Sequence, residues 1–574
     1  MSANRGALAT ALAAVLAAAS LATAGCGSGA SGTSIDPAKA VPASAPLYAG
    51  AFVRPSGSLQ SSARAAATAL THQADPYLRL LAALQAPGSS ALDYGKDVAP
   101  WLGPRAGVFL TATGGSEERA VDRLVTLIEQ GILGSSSGGA FPFAAHAVEG
   151  AIVLDTRDAA KARSFLTQLA ARAGAHTVSY RGVSYEANAG GIAFGIVSRL
   201  AVIGTETGVR AVIDTTAGGP SLAAAATYAK LVGAAPAGAL ANVYANAAAF
   251  GGSSAQASVS GFSLLAGGGF VNVSLVPSAS SITVDADAVG SETGGAAGGL
   301  FASSSAAATA LGELPGESWL AVGLGDVGHS LGADVGAIEG LVSVGGTLSG
   351  SGSQASSTGI SVKGLLGGIL APLRALGAES ATTKREFASW MGSAGLFASG
   401  TGLLELKGGV VIDSTDAARS RAAVAELGAI LRSGGASVQS AKVPGAEAAV
   451  AVRLSGLPVV LDVAAGRSAS GSAKFVIGLG EQSVQDALSP SSTVSGSAPY
   501  GTASAALGQG YRPSVIVDVP TLLGLLEGVG LSEDPSVAPF VPYLRSLSTI
   551  SAGGGSLGNG IERLRLVVGL QGGG

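Results

Sequence analysis

The feature that most constrains this chain is that it repeats itself. Residues 150–174, GAIVLDTRDAAKARSFLTQLAARAG, recur as residues 408–434, GGVVIDSTDAARSRAAVAELGAILRSG. Each copy reads as an apolar strand, an Asp-x-x-Asp turn and a helix. The helical spacing is carried by Phe165, Leu166 and Leu169 in one copy and by Val424, Leu427 and Leu431 in the other. The correspondence extends both ways. PWLGPRAGVFLTA from Pro100 answers to SWMGSAGLFASG from Ser389, LAVIGTETGVRAVID from Leu200 to KFVIGLGEQSVQDAL from Lys474, and SSITVDADAV from Ser280 to NGIERLRLVV from Asn559. At the start of each unit VPASAPLYAGAFVRPSGSL pairs with LPGESWLAVGLGDVGHSL, setting Ser58 and Leu59 opposite Ser330 and Leu331.

Duplication predicts two homologous lobes, residues 41–310 and 311–574. Segments such as HTVSYRGVSYEA (176–187) alternate in polarity around a YRG turn and predict antiparallel hairpins. The expected class is α+β: two homologous lobes, each a mainly antiparallel sheet with helices packed on one face. The Gly-rich inserts GGSSAQASVSG and GGTLSGSGSQASSTG read as loops.

The N-terminus carries an address. Arg5 precedes the apolar run ALATALAAVLAAASLA (7–22), and TAGC closes it at Cys26, the only cysteine of 574 residues. Charge, apolar run and small residues together predict a lipoprotein-type signal peptide over 1–25, with lipidation at Cys26. A Gly/Ser-rich tether is expected over 26–40. Mean hydropathy is +0.46, but 88 glycines and many alanines supply much of that, and no later apolar run reaches the ~18 residues a spanning helix needs. The body is therefore expected outside the membrane: exported, extracytoplasmic, and attached to the cell membrane through its N-terminal lipid. A net charge of −4, with no Lys/Arg-rich stripe, argues against nucleic acid as a partner.

Three motifs could carry chemistry. VGHSLG, residues 327–332, spells the G-x-S-x-G-like elbow that would make Ser330 a hydrolase nucleophile. The triad order of such enzymes needs a histidine downstream, and the four histidines, His72, His146, His176 and His329, all precede Ser330. An N-cap role shared with Ser58 explains Ser330 more simply. GLGDVG (323–328) fits the dinucleotide fingerprint in spelling, but no strand-ending acid follows about 20 residues on. The pairs Asp155/Asp158 and Asp413/Asp416 could start a cation site, but they fit better as strand-end residue and helix N-cap. Scattered histidines and one cysteine give no zinc spacing. Asp285 and Asp287 alternate with Ile282 and Val284 and are expected on a solvated strand face. Trp101 and Trp390 occupy equivalent corners and are expected in the core. The expectation is no catalytic residue, no cofactor and no metal.

APLYAGAFVRPSG, LDYGKDVAPWLGPRAGVFL, VLDTRDAAKARSFLTQLA and SYRGVSYEANAGGIAFGIVSRLAVIGTETGVRAVID resemble the actinobacterial proteins grouped as domain of unknown function 3352. That resemblance implies an exported or membrane-attached protein and supplies no catalytic residue. The expected role is non-catalytic binding or structure at the cell envelope, with an apolar ligand or an envelope protein as partner. Two alternatives stand beside it: a carrier of an apolar ligand or lipid, and an envelope serine hydrolase acting through Ser330.

Overall fold

A computed structural model of the chain describes residues 34–71, 94–111, 149–246, 269–290, 304–325, 327–328, 362–402, 405–454, 459–528, 530, 532, 538 and 540–571. Short runs of β-branched, aromatic and small apolar residues form its strands. The first ten are β1 (Leu47–Phe52), β2 (Leu102–Leu110), β3 (Gly150–Thr156), β4 (His176–Tyr180), β5 (Val183–Ala187), β6 (Ile192–Val197), β7 (Leu200–Thr205), β8 (Ala241–Asn246), β9 (Phe270–Pro277) and β10 (Ser281–Val289). The next ten are β11 (Ser318–Leu324), β12 (Met391–Ser399), β13 (Lys407–Ser414), β14 (Ser437–Ser440), β15 (Ala446–Arg453), β16 (Leu461–Arg467), β17 (Ala473–Leu479), β18 (Val515–Asp518), β19 (Leu547–Gly558) and β20 (Ile561–Leu570).

All twenty belong to one sheet, and every pairing is antiparallel. Followed through its pairings, the first half runs β4-β5-β6-β7-β3-β2-β1-β8-β9-β10. The second half continues from β10 as β20-β19-β18-β11-β12-β13-β17-β16-β15-β14. The pairing scheme of the first ten strands recurs in the last ten, in mirror order about the β10·β20 contact. Two-residue turns close two of the hairpins, Arg181-Gly182 between β4 and β5 and Asn559-Gly560 between β19 and β20. All four residues have positive φ, as the type I′ turns that match strand twist require.

The helices are α1 (Gly57–Thr71), α2 (Ala159–Arg172), α3 (Glu206–Thr216), α4 (Ala226–Ala234), α5 (Ser305–Gly312), α6 (Val362–Ala378), α7 (Ala381–Ala388), α8 (Ala417–Ser433), α9 (Gly480–Leu488), α10 (Ala498–Leu507), α11 (Val519–Gly528) and α12 (Val541–Leu544). The class is α+β, but the helices do not keep to one face. Along β7, Leu200 and Val202 join the cluster of Val209, Val212 and Ile213 from α3, whereas Ala201 and Ile203 join that of Ala162, Leu166 and Ala170 from α2. The second half does the same. Val410 and Ile412 of β13 pack with Val424 and Leu427 of α8, and Val411 packs with Val484 and Leu488 of α9. The physical reason lies in the strands themselves. β6 and β7 are buried at every position, so both of their faces need cover.

Two further expectations change. Residues 34–40, assigned to the tether, fold against the first half: Pro37–Lys39 form one turn of 3-10 helix, and Ala38 and Ala40 join the buried cluster on β3 and β7. Asp36 starts that turn by accepting the Ala38 N–H at 3.1 Å. Asp285 and Asp287 are not solvated either; both are fully buried at 0% exposure. Their partners lie about 280 residues away on β20, whose register sets Arg565 opposite Asp285 and Arg563 opposite Asp287.

This acidic–basic seam is the only pairing between the two sets of ten among the described strands. Arg563 binds Asp287 through Nε at 2.6 Å and Nη2 at 2.7 Å, and Arg565 binds Asp285 through Nε at 2.8 Å and Nη2 at 2.7 Å. Each fork also reaches a free carbonyl at a helix C-terminus: Arg563 the Ala234 O of α4 at 2.7 Å, Arg565 the Leu507 O of α10 at 3.1 Å. Arg565 stacks over the Tyr511 ring at 4.5 Å. Removing one member strands a buried charge, which costs about 3–5 kcal/mol. Asp287→Ala should therefore lower the denaturant midpoint by that equivalent, while Asp214→Ala, at a half-exposed pair with Arg181, should barely move it. Equal small shifts in both variants would show that the seam contributes little.

Candidate functional site

The strongest candidate site grows out of one register pair. β13 and β17 set Asp413 opposite Lys474, and the equivalent pair of β3 and β7 sets Asp155 opposite Leu200. Lys474 is thus a cation where the first half carries an apolar side chain, inside the otherwise apolar strand AKFVIGL. It is only 4% exposed and needs partners to stay charged. Its ammonium donates to Asp413 Oδ1 and, at 2.5 Å, to Glu313 Oε2 at the end of α5, while Ser393 Oγ donates to Asp413 Oδ2. Burial alone would pull the Lys474 pKa down. The hydrogen bonds and charges of Asp413 and Glu313 outweigh it, and the pKa lies above the ordinary lysine value.

These groups form one wall of a pocket of about 220 Å³. Ala310, Leu314, Gly395, Val411, Ala487 and Pro490 supply its apolar lining, and Ser470 and Thr493 add hydroxyls. A small polar or zwitterionic group can be met here by carboxylate acceptors, an ammonium donor and hydroxyls beside an apolar lining.

In the first half the same corner is filled. Asp155 accepts from Ser34 Oγ at 3.1 Å and from the Ile35 N–H at 3.4 Å. Burial pushes its carboxyl above the usual aspartate range. Gly103 makes the room, since a Cβ there would stand 2.6 Å from Asp155 Oδ2.

The other expected residues have structural work. Asp158 caps α2 by accepting the Lys161 N–H at 3.0 Å, which holds its carboxyl below the usual range, and Asp416 caps α8 through the Ala418 and Arg419 N–H groups. No three His, Cys, Asp or Glu side chains gather as a metal site among the described residues. Trp101 packs on Phe165 at 5.4 Å and donates to Asp97 O, and Trp390 packs between Phe387 and Phe475; both are buried. Ser58 lies in the first turn of α1, which begins at Gly57, and is exposed there; it does not stand at the flanking cap position. His176 is exposed on β4. Cys26, His72, His146, His329, Ser330 and the two Gly-rich inserts lie outside the described residues. Lys474 and Glu313 were missed by the motif reading. The available signal was the lone lysine at a position where the repeat has Leu200.

Two outcomes follow from this geometry. Because the folded pKa of Lys474 is raised, its contribution to stability is present below the ordinary lysine value of 10.5 and is lost as pH rises through the higher folded value. Lys474→Leu, which copies the first half, should flatten the alkaline limb of a stability–pH profile; an unchanged limb would exclude this pairing as its source. Asp416→Ala should cost about 1 kcal/mol in denaturation through loss of the cap, with no change in any binding activity.

No curated protein and no solved structure matches the chain. A family model described as "Protein of unknown function (DUF3352)" matches residues 6–511, and the chain belongs to that family.

Proposed function

We propose that this is a lipid-anchored, extracytoplasmic binding protein of the cell envelope, non-catalytic, built from two homologous lobes. The observation that carries the binding role is the Lys474 pocket, where a buried ammonium and two carboxylates face an open volume on one half while the same corner of the other half is occupied by the chain itself. The duplicated pairing scheme supports the lobes. The anchor rests on Arg5, the apolar run and Cys26. Among the described residues no helix is long and apolar enough to cross a membrane.

Fractionation of a bacterial host expressing the full chain tests the anchor. The protein should sediment with membranes, and Cys26→Ser should move it to the soluble fraction; a variant that stays with the membranes would overturn lipid anchoring. Native mass spectrometry of the full chain released gently from membranes tests the binding role. A discrete adduct that disappears in Lys474→Leu is the expected result, and a clean mass in every preparation would count against it.

A further inference from the structure

The occupant of the first half indicates what the pocket of the second half takes. Ser34 and Ile35 bind Asp155, and Pro37 and Ala38 follow as a buried turn touching β1, β2 and β3. Asp36 pairs with Arg105 at 3.2 Å and holds the segment in place. Five residues on, the chain makes an isolated bridge, Pro42 to Ser221, whose equivalent in the second half is Pro315 to Thr493. The approach to that second bridge differs. It is made by α5, which packs mainly on β11 and β12. Val411 and Asp413 of β13 line the pocket, where their counterparts Val153 and Asp155 are covered by residues 34–38. Register makes Gly395 the counterpart of Gly107. A Cβ at Gly107 would meet the Tyr48 ring at 2.7 Å and Pro37 Cβ at 3.1 Å, and one at Gly395 would meet Leu314 Cδ2 at 2.7 Å, so Leu314 takes the place of Pro37 there and the volume left open lies beside Asp413 and Lys474.

We propose that the second-half pocket binds a short peptide segment of small residues, its amide and hydroxyl donors meeting Asp413 and Glu313 and a carbonyl or terminal carboxylate meeting Lys474. A lysine ammonium has three donors, and Asp413 and Glu313 take two of them. A peptide supplies alternating donors and acceptors to match a wall that holds both signs of charge. Its small side chains suit a volume of only about 220 Å³ lined by Ala310, Leu314, Gly395 and Ala487. The inference rests on the binding reading above and on the equivalence of the two halves, and it names the ligand class.

The test uses the full chain and a fluorescent peptide of its own residues 32–40, GTSIDPAKA, which contains the segment seated in the first half. A photoreactive version maps where it binds. Saturable binding is expected, with cross-links in residues 468–474. It should weaken about tenfold or more, the worth of one charge-assisted hydrogen bond, in Asp413→Asn and when the peptide's Ile35 amide is methylated. Ser470→Trp, on an exposed turn at the rim, should block binding without disturbing the core. Absence of saturable binding to the unmodified chain, cross-links elsewhere, or binding that survives either substitution would overturn the proposal. A native-mass adduct without peptide binding would leave the binding role standing and remove this ligand class.

Discussion

Everything else in this fold depends on the contact between β10 and β20. Eight residue pairs, Ser281 with Gly569 through Ala288 with Glu562, join two ten-stranded arrays into one sheet. At its centre two arginine forks grip two aspartates away from water. Bidentate geometry and the extra bonds to Ala234 O and Leu507 O fill the donor positions that would otherwise make such burial costly. The Arg563 pKa is driven up by Asp287 and Asp285 against the opposing effect of its own burial, while burial lifts the Asp287 carboxyl. Because α4 and α10 hold corresponding places in the two halves, each guanidinium ties the seam to a helix of a different half.

The seam is asymmetric in charge although the pairing around it is not. β10 brings two carboxylates and β20 two guanidiniums, so β10 against a second β10 would set acid beside acid. Like charges at a buried contact cost several kcal/mol, which favours the joined arrangement over self-pairing of either half. The same divergence runs through the pocket corner. Leu200 and Lys474 stand on equivalent strands, and with that exchange one half becomes closed by its own chain while the other keeps a charged wall facing open volume.

Much of this was legible in the sequence because repeated strand, turn and helix patterns are local. The matched blocks around Gly150 and Gly408 mark β3 with α2 and β13 with α8, and the aspartates of DTRD and DSTD mark the caps. What escaped was non-local. Alternation of Asp285 and Asp287 with Ile282 and Val284 looks like a wet face, and only the register with Arg563 and Arg565, over 270 residues away, makes it a buried one. The placing of helices on both faces was readable in part, since IAFGIV and LAVIGT have no polar face to turn to solvent. Lys474 gave a weak signal because a single lysine in an apolar strand usually marks an edge; here Asp413 and Glu313 hold it inside.

The order of the strands has one more consequence, at the far ends. With β10 and β20 joined in the middle, the outermost of the described strands are β4 on one side and β14 on the other, which hold corresponding places in the two halves. Such a sheet is divalent: a strand added at one rim would find a like rim at the other, and growth would run on as a filament and not close as a pair. The rims are poor templates. β14 has four residues, with Ser437, Gln439 and Ser440 exposed, and β4 shows His176, Thr177 and Ser179 to water. Short polar ends are what allow so long a sheet to stop.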